Sequence, residues 1–166
     1  QGIPIPHGMV VRQPDSPDPA LLWRDGTPLG AWATSAPFQG SLVHVVGSTG
    51  DPIEQLSLVY VVADEANIQH IESSQGGQIT RLVDIPARAM IGGLTGIPGR
   101  ATIAYATFEP STDGSRLLSR VYLGEMADIA AAAPVLTVES GESRYVVPLA
   151  IHRAVDESPD GLWYAY

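Results

Sequence analysis

Gly76 to Phe108 reads GGQITRLVDIPARAMIGGLTGIPGRATIAYATF. The stretch predicts strand, tight turn, strand, tight turn, strand. Gln78 to Val83 is the first strand, the apolar Arg88 to Leu94 the second, and Arg100 to Phe108 the third, with Gly96 to Gly99 as the second turn. β-branched and aromatic residues favour the extended chain, and Gly and Pro interrupt it.

The same order continues on both sides. Downstream, Glu109 to Gly114 turns the chain into Leu117 to Leu123, and Pro134 to Glu139 follows. Tyr145 to His152 and Leu162 to Tyr166 open another cycle. Upstream lie Ser41 to Val46 and Gln55 to Ala63; the latter, QLSLVYVVA, has the continuous apolar character of a buried strand. Asn67 to Glu72, NIQHIE, alternates apolar and polar, which predicts one face in water, and Ser73 to Gly77 then turns the chain. Ala20 to Arg24 and Pro28 to Thr34 flank Asp25-Gly26, a pair suited to the positive φ values of a type I′ hairpin turn. Met126 to Ala132, MADIAAA, is too short for a free-standing helix and predicts a single helical turn.

Two regions follow from this pattern. Residues 1–19 form a proline-rich N-terminal arm, expected to be extended and loop-like because proline fixes φ and removes donors; only Met9 to Arg12 could pair as a strand. Residues 20–166 form a single all-β domain of repeated units, each an antiparallel four-stranded, blade-type sheet.

Composition agrees. The 166 residues are 45% hydrophobic and 16% charged, with 17 Gly and 14 Pro, as many turns between short apolar strands require. Net charge is −9, and all nine basic residues are Arg. An acidic surface disfavours nucleic acid and anionic lipid, both of which need clustered cations. The absence of Cys removes thiolate metal sites and Cys nucleophiles. No apolar run approaches the roughly 20 residues of a membrane-spanning helix. The opening QGIPIPHG has neither Met nor a signal-peptide pattern, as expected of a processed or trimmed chain.

The aromatic strands VYVVA, IAYATF and LWYAY recur along the chain. Gly76-Gly-Gln-Ile-Thr-Arg-Leu82, followed by Gly99-Arg-Ala-Thr-Ile-Ala-Tyr-Ala106, resembles the junction between blades of TolB-like β-propellers. There a Gly-Gly turn leads into an R-L-T strand, and an S-P-D-G turn precedes the next aromatic strand. Ser158-Pro-Asp-Gly-Leu-Trp-Tyr-Ala-Tyr166 is similar to that second motif. The resemblance covers about residues 41–166. The chain departs from it at Gly96 to Gly99, which lacks the Asp, and at Ser111 to Gly114, which follows the aromatic strand. It implies a binding or interaction module of an extracytoplasmic bacterial protein (secreted, periplasmic or cell-surface) with protein or peptide as partner; a glycan partner is suggested by the adjacent aromatics Trp163 and Tyr164. About three blades can be counted, fewer than the usual four of a closed ring. Three readings stay open: part of a larger propeller, self-association of two chains into one ring, or a β-sandwich.

Candidate chemistry is sparse. Asp156, Ser158 and Asp160, followed by Gly161, have the alternate oxygens of a calcium loop, although no bidentate Glu follows; a plain turn is the other reading, and no other cofactor is expected. His44 and His152 each sit in an apolar strand that opens a cycle, and such strands would lie nearest a propeller axis. Trp163 and Tyr164 are adjacent in a strand, so one of them leaves the core-facing side and offers a platform for carbohydrate or peptide. There is no G-x-S-x-G elbow, and Asp64-Glu65 and Asp156-Glu157 lie at turns. The pattern therefore favours a non-catalytic module, with an accessory domain of a secreted hydrolase or a structural subunit associating through open sheet edges as alternatives.

Overall fold

The computed structural model describes residues 2–5, 8–11, 20–39, 42–97, 99–141, 150–153 and 162–165, the last two spans by their backbone alone. Strands β1 (Gly2–Ile5), β2 (Gly8–Val11), β3 (Ala20–Arg24) and β4 (Thr27–Trp32) form a first sheet. β5 (Val43–Val46), β6 (Ser57–Ala63), β7 (Gln69–Gln75) and β8 (Gln78–Asp84) form a second. β9 (Met90–Gly96), β10 (Thr102–Pro110), β11 (Leu117–Glu125) and β12 (Pro134–Ser140) form a third. β13 (Ala150–Arg153) and β14 (Leu162–Ala165) pair in a two-stranded sheet. In each sheet the strands stand in chain order, every neighbour antiparallel.

Turn chemistry sets the registers. Asp25 and Gly26 have φ of 51° and 76°, and Gly76 and Gly77 have φ of 55° and 81°. Each pair closes a two-residue hairpin of the primed type, whose twist matches that of the strands. The second hairpin pairs Gln75 with Gln78 and, three steps along, Glu72 with Arg81. Between β6 and β7 the Asp64 carboxylate accepts hydrogen bonds from the Ala66 and Ile68 N–H groups, each 2.9 Å long, while Asn67 takes φ 61°.

The sheets stack face to face, and β6 shows why its sequence is apolar throughout. Leu58, Tyr60 and Val62 join Val10, Leu22 and Trp32 in a core against the first sheet. Val59 and Val61 join Ile71, Ile91 and Ile103 in a core against the third. Alternate side chains of one strand thus enter two different cores, so both faces must be apolar. β10 repeats the device: Ile103 and Tyr105 face the second sheet, while Ala104 packs with Ile97 and Leu123 on the other side. The first strands also align, with β9 lying beside both β5 and β13.

Several expectations change. Gly2 to Ile5 is a strand, not loop; β1 is an edge of its sheet, where proline's missing N–H is tolerated. Ser73 to Gln75 belong to β7 instead of a turn. The expected wet face of NIQHIE is absent: His70 to Ser74 are all buried, because the first and third sheets cover the second from both sides. The single helical turn within Met126 to Ala132 is present as a 3-10 turn at Ile129–Ala131.

Candidate functional site

Two polar constellations lie between the sheets. The first is centred on Glu72 in β7. Cross-strand pairing sets Tyr60, Glu72 and Arg81 in a row over β6, β7 and β8. The Glu72 carboxylate is buried, and its Oε2 accepts hydrogen bonds from Ser35 Oγ and, at 2.9 Å, from the Tyr60 hydroxyl. Burial, reinforced by the Glu72 carboxylate, pushes the Tyr60 hydroxyl's pKa well above its ordinary value. Nε2 of His70 lies 3.1 Å from Glu72 Oε1 and 2.9 Å from Arg81 Nη2. One ring nitrogen cannot donate to a carboxylate and accept from a guanidinium at once, so these contacts describe two alternative protonation arrangements. Arg81 also reaches Asp84 at 3.1 Å on the exposed side, a pair of small energetic weight.

This chain of groups is not a nucleophilic triad. A triad places serine on imidazole and imidazole on carboxylate. Here the serine binds the carboxylate, with Tyr60 beside it, and His70 meets the other carboxylate oxygen. The arrangement holds the loop after β4 onto the second sheet and satisfies a buried charge.

The second constellation is an open cleft. Between the second and third sheets a cavity of about 180 Å³ opens among Val83, Ile85, Pro86, Tyr105, Thr107 and Tyr122, with Asp84, Glu109 and Arg120 as its charged lining. β10 and β11 build its wall: Tyr105 stands opposite Tyr122, and Thr107 opposite Arg120. The two phenol rings stack at 4.7 Å between centroids and 9° between planes. The half-buried Arg120 and Glu109 pair at 2.5 Å. Tyr105 is only 4% exposed, and burial, followed by the neighbouring Tyr122, pushes its hydroxyl up to about 12. Among the described residues, neither phenol hydroxyl, nor that of Thr107, has a hydrogen-bond partner. A stacked aromatic pair, one ring buried and one partly so, with uncommitted hydroxyls next to a matched ion pair, suits ligand binding better than proton transfer.

No model of a known protein family matches this chain, nor does any curated protein or solved structure.

The residues singled out from sequence lie elsewhere. His44 is buried in β5 with its ring on Gly96 of β9; a Cβ at Gly96 would fall 2.3 Å from His44 Nε2. His152 is in β13, whose strand also lies beside β9, and it pairs in register with Trp163 of β14. Tyr164 pairs with Ile151. Asp156, Ser158 and Asp160 fall outside the described residues. Neither the Glu72 cluster nor the Glu109–Arg120 pair was legible as a site. The one available signal was the Gly76-Gly77 turn, whose two-residue length already sets Glu72 opposite Arg81.

Proposed function

We propose that this chain is a non-catalytic binding module built from propeller-type blades, holding part of a protein, peptide or glycan in the cleft between its second and third sheets. The observation that carries the proposal is that cleft: it is lined by a stacked tyrosine pair, Tyr105 buried and Tyr122 partly so, whose hydroxyls bind no described residue. Concave hollows with a few convergent polar groups beside apolar walls are where ligands bind.

The blade reading draws support from the repetition of one chain-ordered antiparallel sheet and from the alignment of the first strands beside β9. The aromatic strands offer a second line of support. Tyr60, Tyr105 and Trp163 each belong to the second strand of their sheet, so the recurrence seen in the sequence has a constant structural address. The resemblance to TolB-like propellers, and with it an extracytoplasmic setting, rests on the motifs alone.

Peptide and glycan arrays test the proposal. The chain should mark a subset of ligands, and Thr107→Val and Arg120→Ala should lose that signal while keeping the parent's circular dichroism spectrum. Array binding unchanged by both substitutions would remove the cleft from the function. Turnover of a peptide or glycoside panel would make the module catalytic and overturn the proposal as well.

A further inference from the structure

Taking the cleft as the binding site, we infer that its ligand is a single neutral, polyhydroxylated ring: one sugar residue, free or at the end of a glycan. The inference rests on the proposed binding function and narrows its ligand class by three features of the cleft.

Charge is the first. Three charged residues line the cleft: Glu109 and Arg120 neutralise each other at 2.5 Å, and Asp84 is paired with Arg81 at 3.1 Å. A ligand with net charge would find no unmatched counter-charge there, and the chain's net charge of −9 disfavours anions further. The kind of polar group is the second. Arg120 only donates, the Glu109 carboxylate only accepts, and the hydroxyls of Tyr105, Thr107 and Tyr122 do both. Sugar hydroxyls, each donor and acceptor at once, fit such a mixed set; a carboxylate would use only the donors, an ammonium only the acceptors. Shape is the third. The apolar wall of Val83, Ile85 and Pro86 faces the stacked tyrosines, suiting the C–H faces of a ring. About 180 Å³ is less than the roughly 300–1,000 Å³ of sites for drug-sized ligands, so one ring fits and an extended chain does not.

Tyr105 makes the idea testable. Its ring is buried in the cleft wall while its hydroxyl bonds to no described residue, so the fold gains no hydrogen bond from keeping it. The test is titration of the full chain with glucose, galactose, mannose and N-acetylglucosamine, followed by amide chemical shifts of Ala89, Thr107, Arg120 and Ala130. Acetate, methylammonium and a tripeptide mixture serve as comparison probes. At least one sugar should shift these amides with Kd in about the millimolar range expected for so small a ligand. Tyr105→Phe should weaken that binding about three- to tenfold, one hydrogen bond's worth, with the melting temperature unchanged or raised. Thr107→Val gives an independent variant should Tyr105→Phe fold poorly, and should weaken binding similarly. If the tripeptides or a charged probe shift the cleft amides and the sugars do not, the sugar inference falls while the binding-module proposal stands. If no probe shifts the cleft and array ligands bind elsewhere, both fall. Sugar binding that survives both substitutions overturns the assignment of these hydroxyls.

Discussion

Replacing Tyr60 with Phe removes one hydroxyl and leaves the ring, so it removes the bond to Glu72 together with the hydroxyl's hydrogen-bond contacts with Ser35. That hydroxyl donates to Oε2 at 2.9 Å inside a core from which Tyr60 is fully excluded from solvent. A hydrogen bond to a charged group contributes about 1.5–3 kcal/mol. Ser35 still donates to the same oxygen and His70 still touches the other, so the carboxylate is not stripped bare. The expected loss is therefore at the lower end, about 1.5–2 kcal/mol. For 166 residues, at about 2–4 °C per kcal/mol, the melting temperature should fall by about 3–8 °C. Urea denaturation and calorimetry on parent and variant measure both quantities. A second background sharpens the test. With Glu72→Leu in place the hydroxyl keeps only its contacts with Ser35, so Tyr60→Phe should cost clearly less than in the native background, and the difference, a coupling energy above about 1 kcal/mol, isolates the bond to Glu72. A Tyr60→Phe variant within about 0.5 kcal/mol of the parent in the native background would falsify the claim that this bond holds Glu72 in the core.

Leu58 and Ile71 should each cost about 2–5 kcal/mol on truncation to Ala, because they enter opposite cores of the second sheet; a near-neutral Ile71→Ala in denaturant unfolding would contradict burial on the third-sheet side. Gly96→Ala should destabilise by about 1–3 kcal/mol, since its Cβ would meet the His44 ring at 2.3 Å and the Thr102 carbonyl oxygen at 2.9 Å; a thermal melt equal to the parent's would refute that packing. Asp113, exposed in the loop after β10, accepts hydrogen bonds from Ser111 Oγ and from the N–H and hydroxyl of Ser115, and these lower its carboxyl to about 2 from 3.8. A folded pKa below the unfolded value means that its stabilisation is complete above pH 3.8 and fades as pH falls through about 2; NMR titration of the Asp113 side chain should show that low midpoint, and a midpoint near 4 would mean the loop bonds do not form in solution.

Much of the architecture was readable from residue type because its causes are local. Asp25-Gly26 and Gly76-Gly77 announce hairpins by their backbone freedom, and the unbroken apolar runs of β6 and β10 announce burial on two faces. The polar interior was not readable, for the opposite reason. Alternation in NIQHIE reports polarity, and polarity implies water only when no partner is near. Glu72 stays dry because Ser35, 37 positions away in sequence, folds over it. Arg120 and Glu109 likewise meet on the face of a hairpin, where neither residue type nor spacing distinguishes a cleft from a solvated surface. Tyr105 was legible as filling between sheets, but its unpaired hydroxyl becomes visible only once the sheets are stacked.

The two-sided burial of β6 also affects how the chain is made. Strands β1 to β4 come first from the ribosome and offer a surface to the Leu58, Tyr60 and Val62 side of the second sheet as it forms. The opposite side, with Val59, Val61 and Ile71, must wait for β9 to β12. The 56 residues from Ile85 to Ser140, at roughly 5–20 residues per second, take about 3–11 s to appear. Throughout that interval a nascent chain carries a bare apolar sheet face, the kind of surface that trigger-type holdases cover and that crowded neighbours adhere to. Slowing synthesis within residues 85–140 should therefore lower the soluble yield more than an equal pause after Ser140.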